Sequence, residues 1–385
     1  MEGDDRMKYP QGVPGDGGRV AYPRRMVARG AARLLGRLLL PIAFRLQVTG
    51  QECFPRSGPL LVVGNHDAVM EAVLMAVYTP WQVETLGAAD VPHERVTELA
   101  IRFFGCIPVH RGSFDRWALN QALGVLKQGG VIALFPEGGI WEAGAKRAQT
   151  GVAWLSYRGN TPVLPIGFGG TVGALGVALR LKGPRLTMNV GESIPAASPP
   201  PGKARKVYLE EYATRVMDAV NALVPAEDRA RQVRVTDEWF ELQVASRGPD
   251  GVSRDIPPGV VIRHPAALAK LLHRPGVLKI FTSNLRLPTR VLQNLAEEHN
   301  AVAIAKAARS VLDYLEEENP YLLTYRFGPQ EAAAMQAGLK ELLTLARWAV
   351  ESGLSLTIRP ISRYILLGQG REIVQTEQGV FERWM

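Results

Sequence analysis

Short apolar runs of strand length recur between residues 60 and 192, and each is separated from the next by a longer stretch with helical spacing. The runs are LLVVGN at 60–65, VIALFP at 131–136, PVLPIGF at 162–168 and RLTMNVGE at 185–192. A run without polar alternation has no face to offer water, so it belongs in a sheet covered on both sides. Helical patterns at Ala68–Tyr78, Arg116–Lys127 and Gln149–Arg158 stand between the runs and supply the covering layers. The expectation is an α/β domain with a mostly buried mixed sheet flanked by helices, over residues 48–230. PAASPPPG at 195–202 breaks regular structure, and a helix over Val207–Leu223 closes the domain.

A chain of 385 residues exceeds one typical domain. Beyond a polar stretch at 226–236, helical patterns at 265–273, 289–318 and 329–352 precede the strand-like LSLTIRP, YILLG and REIVQ. Residues 236–385 are expected to form a smaller, mainly helical C-terminal domain, and they contain no recognisable chemistry motif. Residues 1–22, rich in Gly, Asp and Pro, lack the basic start and apolar core of a secretory signal and read as a disordered tail.

Hydrophobic residues at 46% and charged residues at 21% match a globular protein rather than a disordered or polytopic one. The net charge of +8 suits an anionic partner, and nucleic acid, a lipid surface or the phosphates of an acyl carrier would all satisfy it. Cys53 and Cys106 alone support neither a disulfide scaffold nor a structural zinc site, and a reducing cytoplasm fits them. The longest uncharged run, Gly159 to Leu179, contains Pro162, Pro165 and six glycines, so it reads as a buried strand and a turn-rich loop rather than a membrane span.

Residues 24–44, within a segment bounded at 23–47, place Arg25, Arg29, Arg33 and Arg37 at steps of four. Leu34, Leu35, Leu38, Leu39 and Ile42 form a separate apolar sector. This is a basic amphipathic helix, which can lie in a membrane surface with arginines on lipid phosphates and leucines among acyl chains. It can equally pack on the domain's own core.

In NHDAVME, Asn65 and His66 stand where a strand hands over to a helix, the end at which open α/β sheets build their sites. Glu71 follows five residues later and can accept the Nδ1 proton of His66, leaving Nε2 free to take a proton from a hydroxyl. A histidine and an acid at this spacing also fit a purely structural pair. Three further blocks follow in order: GCIPVHRG at 105–112, LFPEGG at 134–139 and PVLPIG at 162–167. Together the four blocks resemble the motifs of the glycerol-phosphate and lysophosphatidate acyltransferases, the PlsC-like family, and the resemblance runs from about Val48 to Pro195.

That resemblance implies that His66 is the general base for an acceptor hydroxyl attacking an acyl thioester, with Glu71 orienting it and no acyl-enzyme. The family usually carries Asp where this chain has Glu71, and Asp67 is the alternative acid. Arg111 is implied to hold the acceptor's phosphate, through two parallel hydrogen bonds. Glu137 and Gly138, in the FPEG turn, are implied to bind acceptor hydroxyls or brace the site. Related chains continue this turn with a polar, arginine-containing run, whereas here Gly139, Ile140 and Trp141 follow. Lys146 or Arg147 could replace the missing donor, or Trp141 could pack against a sugar or polyol. Pro165 is expected at a strand end, shaping the acyl tunnel.

No GxSxG elbow, phosphate-binding glycine motif or metal cluster appears in the sequence. The implied reaction needs no cofactor. Acyl-CoA or acyl-carrier protein is the co-substrate, a lysophospholipid (by default lysophosphatidate) the acceptor, and an anionic membrane surface the partner, with no nucleic acid expected. The implied location is the cytoplasmic face of a membrane, peripheral or monotopic, with no signal peptide. Two other readings stay open: the same chemistry on a glycolipid, polyol or aminolipid, and an inactive membrane-associated lipid-binding protein.

Overall fold

The computed structural model describes residues 20–88, 103–109, 115–138, 148–231, 234–273, 301–318, 320, 322–368 and 371–376. Arg111, Trp141 and Lys146, with His110, Gly139, Ile140 and Arg147, lie outside the described residues. So do residues 1–19 and the first part of the helical pattern expected at 289–318.

The chain opens with helix α1 (Met26–Ala43) and strand β1 (Arg45–Thr49). There follow β2 (Leu60–Gly64), α2 (Met70–Tyr78), β3 (Val83–Ala88), β4 (Ile107–Val109), α3 (Arg116–Lys127) and β5 (Val131–Leu134). Next come α4 (Gly151–Gly159), β6 (Val163–Gly169), α5 (Ala174–Ala178), β7 (Arg185–Val190) and α6 (Arg205–Leu223). The seven strands form one sheet in the order β1-β7-β6-β2-β5-β3-β4. All neighbours pair in parallel except β6 and β7. The expected α/β architecture is therefore present, with a mixed sheet flanked by helices.

Alternation along the apolar strands sorts the core into two layers. Leu60 and Val62 join Leu164, Ile166 and Met188 on one face, which is covered by α1, α2 and α5 through Leu40, Leu74, Met75 and Ala174. Leu61 and Val63 join Ile132 and Val163 on the other, covered by α3, α4 and α6 through Ala122, Leu155 and Val216. Each fully buried leucine or valine contributes about 2 kcal/mol, so the β2 run, with Leu60 to Val63 at 0% exposure, anchors both layers. Helix α3 starts where Asp115 accepts a hydrogen bond from the Ala118 N–H at 2.9 Å, a side-chain N-cap.

Three strands of this sheet were not among the expected runs. β3, VETLGA, carries a charge inside it, and β4 is three residues long. β1, RLQVT, is half exposed at the sheet's edge. Pro165 lies inside β6, its third residue and fully buried, not at a strand end. Its missing N–H costs no ladder bond to β7, because that pairing begins at Ile166.

The C-terminal region carries helices, as expected, around its own apolar core. Helix α7 (Ala226–Arg231) precedes them, with Asp228 beside Gly169 of β6, and the helices of the C-terminal core are α8 (Pro265–Leu272), α9 (Ala301–Asp313), α10 (Leu322–Phe327) and α11 (Pro329–Glu351). Leu268, Ile304, Leu323, Met335 and Ile358 belong to that core. The helices pack against a four-stranded antiparallel sheet of β8 (Arg234–Arg247), β9 (Ser253–Arg254), β10 (Ser355–Gly368) and β11 (Arg371–Thr376), in the order β11-β10-β8-β9. β8 was not anticipated, because its charged residues mask the period of two on which Phe240, Leu242 and Val244 turn towards the helices.

Helix α1 reverses the orientation expected of it. Its arginines face the protein: Arg29 is fully buried on Glu84, Arg37 Nε donates to the Val77 carbonyl at 3.1 Å, and Arg33 Nη2 donates to the Thr79 carbonyl. Burial, and then the neighbouring Arg37, lower the pKa of Arg33. The leucines face outward, with Leu34, Leu35, Leu38 and Leu39 at 52–63% exposure and Ile42 at 82%. The cause is the row of carbonyls at the end of α2, together with the Glu84 carboxylate. These acceptors need donors, and an arginine supplies several at once. Gly36 lets α1 approach closely, since a Cβ there would stand 2.7 Å from a Val77 methyl. Among the described residues no helix is long and apolar enough to cross a membrane.

Candidate active site

β2, β5 and β6 run in the same direction, and the loops after all three meet at one edge of the sheet. The loop after β2 brings His66, that after β5 brings Phe135 and Glu137, and that after β6 brings Thr171. Asn65 ties the first and third together. Its Oδ1 accepts the Phe168 N–H at 2.7 Å, and its Nδ2 donates to the Phe168 carbonyl at 3.2 Å and to Asp67 at 2.9 Å. With its amide occupied in this way, Asn65 braces the strand end beneath His66.

Glu71 is the acid beside the histidine. His66 Nδ1 stands 3.5 Å from Glu71 Oε2, a contact longer than a typical hydrogen bond. The Asp67 carboxylate accepts a hydrogen bond from Asn65 Nδ2 at 2.9 Å. The extra methylene of Glu71 has a visible use, because it lets the carboxylate fold back over the start of its own helix. There it accepts the Ala68 N–H at 2.9 and 3.0 Å and the Asp67 N–H at 3.3 Å, in the manner of a capping box.

Thr171 completes the arrangement and was not foreseen from the sequence. Its hydroxyl donates to Glu71 Oε1 at 2.5 Å, and both side chains are buried. Gly170, at φ 71°, makes the turn that aims it, and a Cβ there would stand 2.1 Å from the Arg185 carbonyl oxygen. The only trace of this role in the sequence is a hydroxyl residue in the first turn after the last apolar run.

The FPEG turn supplies the other wall. The Phe135 ring stacks on His66 with centroids 4.1 Å apart and planes at 11°. Glu137 is 1% exposed, and its Oε2 lies 3.4 Å from the His66 N–H, so it braces the histidine backbone. The Gly138 N–H closes the turn on the Phe135 carbonyl at 3.0 Å. Nδ1 is buried, yet the His66 side chain retains 17% exposure, so the open part of the ring lies away from Glu71. No group of metal-ligating side chains occurs among the described residues. Burial raises the pKa of Cys106, which leaves its thiol a poor nucleophile at neutral pH.

The model of the family described as Acyltransferase matches residues 45–169, which span β1 to β6 and every side chain above except Thr171. Residues 45–169 are thus similar to an acyltransferase domain. A curated relative, 1-acyl-sn-glycerol-3-phosphate acyltransferase from Borreliella burgdorferi, is 25% identical over 125 residues, covering 32% of this chain and 50% of the relative. The match thus spans about half the length of that relative. A solved structure, the 1-acyl-sn-glycerophosphate (LPA) acyltransferase PlsC from Thermotoga maritima, matches with 18% identity and a TM-score of 0.38, over 53% of this chain and 83% of that one.

Within the matched region, His66, Glu71, Glu137, Gly138 and Asn65 come together at one edge of the sheet. Pro165 sits apart inside β6, packed against Gly191.

Proposed function

We propose that the chain transfers a fatty acyl group from a thioester, acyl-CoA or acyl-carrier protein, to the free hydroxyl of a lysophospholipid, with lysophosphatidate the default acceptor. The observation that carries this reading is the pairing of His66 with Glu71, whose carboxylate is held by two backbone N–H groups and the Thr171 hydroxyl. Glu71 fixes the tautomer with hydrogen on Nδ1, and Nε2 takes the acceptor's hydroxyl proton. The alkoxide oxygen bonds to the thioester carbon, the C–S bond breaks as the tetrahedral intermediate collapses, and the thiolate leaves with the proton that His66 carried. The test is release of free thiol from acyl-CoA in the presence of lysophosphatidate, with the acylated product identified by mass spectrometry. No release with any lysophospholipid, glycolipid, polyol or aminolipid would leave the inactive lipid-binding reading in its place.

A second reading keeps the chemistry and changes the acceptor to a glycolipid, polyol or aminolipid. Gly139, Ile140 and Trp141 favour it, standing where related chains carry an arginine. In this reading the phosphate contacts assigned to Arg111 and Lys146 are dispensable. Lysophosphatidate and neutral acceptors competing in one reaction separate the two. A preference of more than about tenfold for lysophosphatidate, 1.4 kcal/mol, removes the second.

Thr171 acts through Glu71 as a positioning residue. Thr171→Val is expected to lower kcat about tenfold, the scale of losing one hydrogen bond to a charged group, with KM little changed. Thr171→Ser should recover most of the rate. Steady-state kinetics of the two variants check this, and equal loss in both would assign Thr171 to packing alone.

The outward leucines of α1 suit the acyl region of a bilayer and support the reading that the domain sits on a membrane surface through this helix. Because its arginines are already engaged by the protein, α1 should bind through apolar contact. Salt should therefore weaken its share of the binding less than an arginine–phosphate anchor would predict.

A further inference from the structure

A second segment of the first domain leaves apolar side chains in water. Between β6 and β7, Val172 is 46% exposed, Leu175 60%, Leu179 78% and Leu181 95%, while Ala174 and Ala178 pack inward on the same core layer as Leu40 and Ala43 of α1. Leu181 is held at φ 57°, a left-handed conformation unfavourable for a leucine, with its side chain outward.

The topology puts this segment beside the end of α1. β6 runs towards the site edge, and β7 and β1 both start from that edge, so α5 and the last turn of α1 lie at the edge where His66 stands. The Arg45 N–H donates to the Pro184 carbonyl at 2.9 Å and joins the two segments directly. The charge pattern is also shared. Residues 17–51 contain no acidic side chain, and neither do residues 143–191. Exposed Arg180, Lys182, Arg185 and Arg45 rim the apolar patch. Apolar side chains with a basic, acid-free rim complement an anionic bilayer, whose acyl region takes the leucines and whose headgroups take the cations.

We propose that residues 172–182 are a second lipid-inserting element, which with α1 seats the catalytic edge of the sheet on an anionic bilayer. This rests on the membrane-surface reading of α1 and adds a contact point on the opposite side of β6 from β2. Two footings fix an orientation that one helix leaves free to rotate, and they turn the loops carrying His66, Glu137 and Thr171 towards the layer that holds a lysophospholipid.

The experiment is co-sedimentation of the full chain with phosphatidylcholine vesicles, with and without phosphatidylglycerol. Leu175→Ser/Leu179→Ser/Leu181→Ser should weaken partitioning into the anionic vesicles by about tenfold or more, given roughly 0.8 kcal/mol per buried CH₂. Val252→Ser/Val261→Ser, exposed apolar positions of the C-terminal region, should leave it unchanged. All these side chains are exposed, so circular dichroism and the unfolding midpoint should not move. If Leu35→Ser/Leu38→Ser/Ile42→Ser abolishes partitioning while the 175/179/181 variant binds within twofold of the parent, the proposal fails and the α1 reading stands. If the parent chain does not partition at all, both fail. Because the readout is binding, it is independent of whether the chain transfers acyl groups.

Discussion

His66→Ala is expected to reduce thiol release from acyl-CoA by ~10²- to 10⁴-fold, the usual contribution of a positioned general base. The loss should appear in kcat with KM for acyl-CoA little changed, because Nε2 meets the acceptor's proton only as the oxygen attacks. The fold should survive, since the ring contacts Phe135 and Glu71 at the sheet's edge rather than filling either core layer. Measurement of thiol release with lysophosphatidate in excess decides it, and a variant retaining more than a tenth of the parental kcat would remove His66 from the mechanism. Glu71→Gln provides the companion test. It keeps the side chain's length but adds a donor beside the donors at Ala68 and Thr171, so the orientation of His66 should suffer while the histidine remains.

Glu84→Ala should be among the most destabilising single changes in the first domain, at about 3–5 kcal/mol. Glu84 is fully buried and accepts Arg29 on both oxygens and Arg24 on one. Removing it leaves the Arg29 guanidinium buried with the Phe104, Gly105 and Val83 carbonyls, at 2.9, 3.0 and 3.5 Å, and the face of the Phe104 ring, but no counter-charge among these. Urea denaturation gives the difference. Lys203→Ala, which breaks the exposed Lys203–Glu211 pair, serves as the control and should change stability by about 0–1 kcal/mol. A loss under about 1 kcal/mol for Glu84→Ala would show that the buried cluster relaxes or hydrates. The same variant should release the start of α1, because Arg24 and Arg29 bind that carboxylate from either side of its first turn.

What could be read beforehand depended on how local the signal was. Fully apolar strands announced themselves, and β2, β5, β6 and β7 lie within a residue or two of the expected runs. Arg116–Lys127 was expected as a helix and is one. β3 was hidden because Glu84 interrupts it, and that residue is tolerated only because Arg29, 55 positions earlier, comes to meet it. β8 was hidden because Phe240, Leu242 and Val244 alternate with polar residues, and its partner β10 lies more than a hundred residues later. The site divides in the same way. The five-residue spacing of His66 and Glu71 alone also fits a structural pair, and these two, with Glu137, were singled out by the order of the four sequence blocks. Thr171 was not legible, since its hydrogen bond to Glu71 spans 100 positions.

The sequence by itself determined the α/β class of the first domain, the blocks that make up its site and the amphipathic character of α1, all of which rest on spacing within a few residues. Only the tertiary structure decided which face of α1 turns inward. Amphipathicity states that one side is polar and the other apolar, and water ordinarily chooses between them. Here the end of α2 and the Glu84 carboxylate present acceptors that arginines satisfy and leucines cannot, so the arginines turn to the protein, with Arg29 buried, and the apolar side is left for another solvent.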